Sequence, residues 1–301
     1  MILRPASLRS KLSDLYAKGL PPGDRTGWPS VDKHYTVVPG QFTVMTGWPG
    51  SGKSEWLDAL LINLSRQGWK FCIYSPENLP HELHVSKLLE KVIGKPFGTG
   101  PTERMSEDEV SEGLDLIAQR FTFLKPDLDA ALSVQKIIEQ AQILIADDRA
   151  GGDDSKRGLV IDPWNELEHY RPTNLSETEY ISQTLSYVRA WAREWNVHVW
   201  IVAHPQKLRR DDGGKLPVPR PDSISGSIHW WNKADCAITV HREMADGKRE
   251  VEIYVQKVRF KHVGSPGLIE LRYDRPTGRY FETPYVIESH TSDYRSRSSG
   301  E

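Results

Sequence analysis

Cysteine is scarce: the 301-residue chain has two, Cys72 and Cys236, each inside an apolar strand-like run. That excludes a disulfide scaffold or a zinc ribbon and points to a reducing compartment. No apolar run approaches the ~20 residues a membrane helix needs, which excludes a helical span. The opening MILRPASLRSKLSDLY is basic but lacks an apolar h-region, which argues against a secretory signal. Charge of one sign is missing too. Lys and Arg number 39 against 41 Asp and Glu, a formal net charge of −2, and the pI is about 6.6. A global polyanion binder is therefore excluded, and any nucleic-acid contact must run through local patches. There is no internal repeat and no long low-complexity segment.

What remains is the composition of a soluble globular chain, 38% hydrophobic and 27% charged, long enough for one large α/β domain or two small ones. The ten tryptophans are many, and most are expected in the core. Three zones are expected. Residues 1–36 hold a helix, with Leu8, Leu12, Leu15 and Leu20 near helical spacing and Gly19 as its stop, followed by a Gly/Pro-rich loop. Residues 37–286 form one α/β domain, and 287–301 a polar, flexible tail.

Within the middle zone, apolar runs at 42–47, 70–75, 121–124, 158–162 and 197–203 read as buried strands. Helical patterns alternate with them. Residues 53–66 carry Trp56, Leu57, Leu60, Leu61 and Leu64 on one face. Residues 176–195 open on a capping box, Ser176 to Glu179. This alternation predicts a mostly parallel sheet flanked by helices. After residue 235 come DCAITVHR, EVEIYVQKVRF, GLIELRY and GRYFE, strands with little helix between them, which predict an antiparallel C-terminal extension.

Gly47-Trp48-Pro49-Gly50-Ser51-Gly52-Lys53-Ser54 is a complete P-loop between a strand and an amphipathic helix. Gly47, Pro49, Gly50, Ser51 and Gly52 would wrap backbone N–H groups around phosphate, Lys53 would neutralise it, and Ser54 would offer a hydroxyl to Mg²⁺. Leu159-Val160-Ile161-Asp162 is an apolar strand ending in the acid such a metal needs. Glu77 follows the strand KFCIYS, which could lie beside the P-loop strand, and is the candidate general base. His204 ends the strand VHVWIVA, where it is either a γ-phosphate sensor or a satisfied structural histidine. His81 and His84 lack the further ligands that a metal site requires. The bound nucleotide is ATP or another NTP.

Together these stretches resemble the RecA-fold motor of hexameric replicative DNA helicases, of the Twinkle-type and phage helicase–primase branch, with DnaB-type helicases next. The resemblance rests on GWPGSGKSEWLDALLINLSRQGWKFCIYSPEN (47–78), LVIDPWN (159–165), WIVAHP (200–205), SGSIHWWNKADCAITVHR (225–242), and KVRF followed by PTGRYFE. It implies a RecA-like P-loop NTPase core and an ATP-dependent motor moving 5′ to 3′ on single-stranded DNA. A ring of six copies, with a primase or polymerase as a further partner, is also implied, and no membrane contact is expected. A bacterial or phage-infected cytoplasm is the expected setting, with the mitochondrial matrix as the alternative. A RecA/RadA- or KaiC-like recombination or regulatory ATPase shares the fold and P-loop and stands as the second reading.

The resemblance also implies residue roles. Lys257 and Arg259 match the pair that reaches the neighbouring subunit's nucleotide; by themselves they read equally as a solvated basic edge. Arg242 and Tyr273 match a pair that sandwiches the base. Lys207, Arg209, Arg210, Lys215 and Arg220 lie in a Pro/Gly-rich basic loop that would line the DNA channel, with Ser225 and Gly226 at its downstream end. The loop after Asp162, from Asn165 to Asn174, is a second candidate lining. The helix in 1–20 would dock on an adjacent protomer or pack on its own domain. Trp164, Trp230 and Trp231 are bulkier than the family pattern at those places.

Overall fold

The computed structural model describes residues 4–125, 131–206, 217–243 and 249–283. In chain order the helices are α1 (Arg9–Lys18), α2 (Pro29–Asp32), α3 (Lys53–Ser65), α4 (His81–Ile93), α5 (Glu107–Arg120), α6 (Val134–Ala150), α7 (Glu177–Glu194) and α8 (His229–Lys233). The strands are β1 (Phe42–Thr46), β2 (Lys70–Tyr74), β3 (Phe121–Phe123), β4 (Arg157–Ile161), β5 (Val197–Val202), β6 (Cys236–His241), β7 (Glu250–Val258), β8 (Gly267–Asp274) and β9 (Arg279–Glu282). All five predicted central strands form where the apolar runs lie, and α7 opens on the Ser176–Glu179 capping box. An equivalent box, Ser106–Glu109, starts α5.

All nine strands make one sheet, ordered β3-β2-β4-β5-β1-β6-β7-β8-β9. From β3 to β6 every pairing is parallel. From β6 to β9 every pairing is antiparallel. Two expectations are corrected here. DCAITVHR, expected within the antiparallel extension, belongs to it on one side only, because β6 pairs antiparallel with β7 but parallel with β1. The Glu77 strand does not neighbour the P-loop strand. β4 and β5 stand between them, and at ~4.8 Å per strand this separates β2 from β1 by about 14 Å.

Alternation along the strands feeds two cores. Met45, Val160, Trp200 and Val202 face a layer built by α3, α4 and α5. Phe42, Val44, Leu159, Ile161, Val199 and Ile201 face α6, α7 and α8. Trp56, Trp69, Trp200 and Trp230 are fully buried. At on the order of 200 Å² of ring each, burial contributes about 5 kcal/mol apiece at ~25 cal/mol per Å². Two indole N–H groups in this core have partners, Trp200 donating to Tyr35 Oη at 3.1 Å and Trp69 to Asp24 at 2.8 Å, whereas Trp56 Nε1 is buried without one.

The expected loop before residue 37 is partly core. Asp24 and Val37 form an antiparallel bridge, and Trp28, Val31 and Tyr35 between them are buried. A boundary at 36 thus falls within a packed segment. By contrast α1 buries no residue, and Leu12 and Tyr16 are 55% and 93% exposed. The expected tail, 287–301, lies outside the described residues. No helix among the described residues is long and apolar enough to cross a membrane.

Candidate active site

β1, β2, β4 and β5 are parallel, so their C-terminal ends share one edge of the sheet, where an open α/β fold binds ligand. The P-loop leaves β1 there. Gly50 and Gly52 have φ of 78° and 93°, which glycine adopts without strain. Gly47 is sterically required, since a Cβ would lie 2.3 Å from the Val240 carbonyl oxygen. Lys53 is buried, and its Nζ donates to the carbonyls of Gly47 and Trp48, each at 3.1 Å. Burial lowers its pKa from the lysine value, against the pull of Asp162 and Glu77. Ser51 Oγ is buried without a hydrogen-bond partner. An orphaned hydroxyl inside a ring of N–H groups fits an incoming phosphate oxygen.

Three acids face this loop. Asp162 is buried, hydrogen-bonded to Ser54, and its carboxyl is pushed up to about 6 by burial and by Asp58 and Glu77. An acid so destabilised in its ionised form, next to a P-loop hydroxyl, fits a divalent cation. Asp58 lies one helical turn after Ser54 on α3, and both its oxygens meet His84 Nε2 at 3.1 Å. Burial would lower His84, but the Asp58 carboxylate outweighs it and raises the histidine. His84 is thus an ion-pair partner of Asp58. The Asp58–His84 pair escaped sequence reading. The four-residue spacing from Ser54 signals Asp58, but nothing local signals its partner on α4.

Glu77 reaches the site across the intervening strands, because the short turn Pro76–Asn78 carries it forward from β2. Its Oε1 lies 3.4 Å from His204 Nε2. The His204 N–H donates to Asn165 Oδ1 at 2.9 Å, and His204 Nδ1 is buried without a partner. The sheet edge thus brings together Lys53, Ser54, Glu77, Asp162 and His204.

Arg242 and Tyr273 come to the same edge. Burial pushes the Tyr273 phenol up to about 12, with Glu55 and Glu90 adding to it and Arg242 opposing. Tyr273 packs on Tyr280 at 5.0 Å between ring centroids, and Tyr280 Oη donates to the Gly52 carbonyl at 3.5 Å. Tyr280 was not singled out from sequence, since a tyrosine in GRYFE reads as core.

Lys257 and Arg259 lie elsewhere. β7 runs antiparallel to β6, so Lys257 pairs with Ala237 at the start of β6, and the Arg259 N–H donates to the Asp235 carbonyl at 2.9 Å. This is the opposite edge of the sheet, at the base of β1. The five residue steps from Phe42 to Gly47, at ~3.3 Å each, put it about 17 Å from the P-loop of the same chain.

Lys207, Arg209, Arg210 and Lys215 lie outside the described residues. The described end of that loop is tied to the P-loop, Trp48 Nε1 donating to the Pro217 carbonyl at 2.9 Å. Arg220 is exposed and lies over Trp231, 5.3 Å from the ring centroid. Gly226 packs on α7, its carbonyl accepting from Thr178 Oγ1 at 2.9 Å. Ser225 lines a cleft of about 370 Å³ with Trp164, Asn165, His169, Arg171 and Tyr180, so both candidate lining loops border one opening. The unexpected bulk is accounted for. Trp164 and Trp230 are buried and meet edge to face at 5.0 Å, anchoring both loops.

No family model matches the chain. The chain is 44% identical over 270 residues, 87% of its length, to the Twinkle homologue of Arabidopsis thaliana, a chloroplastic and mitochondrial protein. In sequence the chain is Twinkle-like; in fold it is RecA-like. It spans 37% of that relative's length. Two solved structures share the fold. The ATPase domain of G40P superposes with a TM-score of 0.76 at 18% identity, covering 93% of this chain and all of that one. A DnaB-like replicative helicase, described with its interactions with primase, gives 0.75 at 19% identity over 94% of this chain and 69% of that one. Identities this low speak for the fold alone.

Proposed function

We propose that the chain is the ATP-dependent motor of a replicative DNA helicase, six copies of which close a ring and move 5′ to 3′ on single-stranded DNA. The observation that carries this reading is the separation of Lys257 and Arg259 from the P-loop across one sheet. Two cations that suit phosphoryl transfer cannot serve the chain's own nucleotide, but they suit a neighbour's. Twinkle-like sequence over most of the chain supports the same reading.

Within one site, Gly47 to Ser54 would bind the phosphates, and Ser51 Oγ would gain the partner it lacks. Ser54 and Asp162 would hold Mg²⁺, which when bound neutralises charge on the phosphate oxygens. Glu77 accepts a proton from water held against the γ-phosphate, and His204, 3.4 Å from it, senses whether that phosphate is present. The neighbour's Arg259 stabilises charge in the transition state, an effect of roughly 10³–10⁵ in rate. Arg242 and Tyr273 sandwich the base. Lys207, Arg209, Arg210, Lys215, Arg220, Ser225 and Gly226 face DNA along the channel, and α1, bare on its own chain, docks on the adjacent protomer. Residues 37–286 serve as the motor, and 1–36 and 287–301 as its flanking segments. A primase or polymerase is the proposed further partner. An organelle or a bacterial or phage-infected cytoplasm is the proposed setting.

Steady-state ATP hydrolysis with Mg²⁺, with and without single-stranded DNA and at several protein concentrations, tests the proposal. Strong stimulation by DNA, with specific activity rising steeply with concentration, is expected. Activity indifferent to both would overturn it in favour of a self-contained regulatory ATPase.

A further inference from the structure

At the edge of the sheet away from the P-loop, Asp235 is completely buried. A carboxylate removed from water is costly unless its oxygens are fully engaged. Here three elements engage it. Oδ1 accepts from Arg259 Nε at 2.9 Å and from Arg193 Nη2 of α7 at 3.3 Å. Oδ2 accepts from the Phe42 N–H, the first of β1, at 3.2 Å. The main chains are joined as well: Asp235 N–H donates to the Phe42 carbonyl at 2.8 Å.

The Arg259 guanidinium is correspondingly fixed. Besides Nε on Asp235, its Nη2 donates to the carbonyls of Asn232 and Ala234, each at 3.1 Å, at the C-terminal end of α8. Nη1 makes no hydrogen bond among the described residues, and the side chain is 31% exposed. Lys257 donates to the neighbouring carbonyls of Trp231 and Asn232. Arg189, Arg193, Lys257 and Arg259 therefore crowd one place. Burial lowers Lys257, with Arg259 adding to the effect and Asp235 opposing it. Without the carboxylate, mutual repulsion would drive these cations apart.

We infer that Asp235 is the positioning residue of Arg259. It holds the planar guanidinium by one side, leaves Nη1 for the neighbouring subunit's phosphate, and fastens the whole to the strand that ends in this subunit's own P-loop. The inference rests on the proposed trans role of Arg259. It adds that the arginine's reach is set by a buried acid and by β1, so a movement of β1 at one nucleotide site is passed to the finger offered to the next.

Asp235→Asn keeps shape and removes charge. A misplacement of about 1 Å at a reacting centre costs on the order of 10²-fold in rate. The expected result is a fall of about 10²-fold in kcat for DNA-stimulated hydrolysis with KM for ATP unchanged, because the P-loop lies at the other edge. The decisive measurement is the cycle with Arg259→Ala. If Asp235 acts through Arg259, the double variant hydrolyses no more slowly than Arg259→Ala alone; losses that multiply would make Asp235 a merely structural residue and overturn the inference. If Arg259→Ala hydrolyses ATP normally, the trans-finger reading itself fails. If Arg259→Ala is impaired and Asp235→Asn is normal, only the positioning inference fails. Should Asp235→Asn fail to fold by thermal melting, Asp235→Glu enters the same cycle, with the same expectation. If neither folds, Asp235 is a stability residue and the inference is lost.

Discussion

At the edge where β1, β2, β4 and β5 end, the polar groups are left wanting: Ser51 Oγ and His204 Nδ1 are buried without partners, and Asp162 is crowded by other acids. At the opposite edge the buried groups around the base of β1 have partners, whereas at the start of β4 Arg157 keeps Nε and Nη1 unpartnered while its Nη2 meets Asp148 and Asp153. Asp235 has donors from three elements. His198, fully buried, engages the Val38 carbonyl through Nδ1 at 2.7 Å and Thr43 Oγ1 through Nε2 at 2.9 Å. Both edges are built on the same strands, so the difference is not one of fold. Buried polar groups without partners cost stability, and a chain tolerates them where a ligand completes them. On the proposed reading, the contrast marks the first edge as the one that binds the small molecule and the base of β1 as the part offered to another subunit.

The largest test of that contrast is Lys53→Ala. Hydrolysis should fall by roughly 10³-fold or more, since the cation on the transferring phosphate is lost. Stability should hardly change, because burial already disfavours that charge. Steady-state turnover and a thermal melt decide it, and a variant retaining a tenth of the rate would refute the phosphate role.

The next test sets the edges against each other by pH, in metal-free protein. Burial lowers His198 to about 4 from an ordinary 6.5. Between those values the unfolded chain binds the extra proton, so stability falls as pH drops through the window, by about 3 kcal/mol in all. Asp162 works in the other sense. Its carboxyl is raised from 3.8 to about 6, so the folded state holds the proton and stability falls as pH rises through that range. Urea unfolding from pH 4 to 7 should therefore show His198→Gln losing the acid-side slope and Asp162→Asn steepening it. Equal slopes in wild type and His198→Gln would contradict a neutral buried His198.

Glu77→Gln follows, with an expected loss of about 10²-fold in kcat and unchanged ATP affinity, as befits a base that acts on water and does not hold the nucleotide. Rapid-quench hydrolysis and equilibrium titration with a fluorescent ATP analogue separate the two. Weakened ATP binding would place Glu77 among the ligand-holding groups.

How much of this was readable in the sequence follows from the range of each interaction. The P-loop, Asp162 and the five central strands are local: a glycine pattern or an apolar run carries them within ten residues. So is the α7 capping box; the α1 helix is local too, but whether its leucines pack on their own chain is not. Strand order is not local. Nothing near Glu77 says that β4 and β5 will come between it and β1, because pairing depends on crossovers of many residues. The same limit hid Asp58–His84 and the donors of Asp235, which lie 42 and 193 residues away in Arg193 and Phe42. The stretch PPGDRTGWPS (21–30) reads as linker from its Gly and Pro, yet the chain from Asp24 to Val37 is held in the core by Trp28, Val31 and Tyr35. Burial there is decided by distant partners.

The smallest test concerns α7, which joins the two edges. Its N-terminus is capped by Ser176, whose Oγ accepts from the Glu179 N–H at 3.2 Å, beside the Gly226 loop at the ligand edge. Near its C-terminus Arg193 meets Asp235 at the opposite edge. Removing one cap costs about 1 kcal/mol of stability, because it frays the first turn and leaves the rest of the helix in place. Ser176→Ala should therefore lower the urea midpoint slightly and leave kcat unchanged if the edges communicate through β1. A clear fall in kcat, with the stability loss still near 1 kcal/mol, would show instead that the first turn of α7 carries the signal and that Asp235 receives it through Arg193.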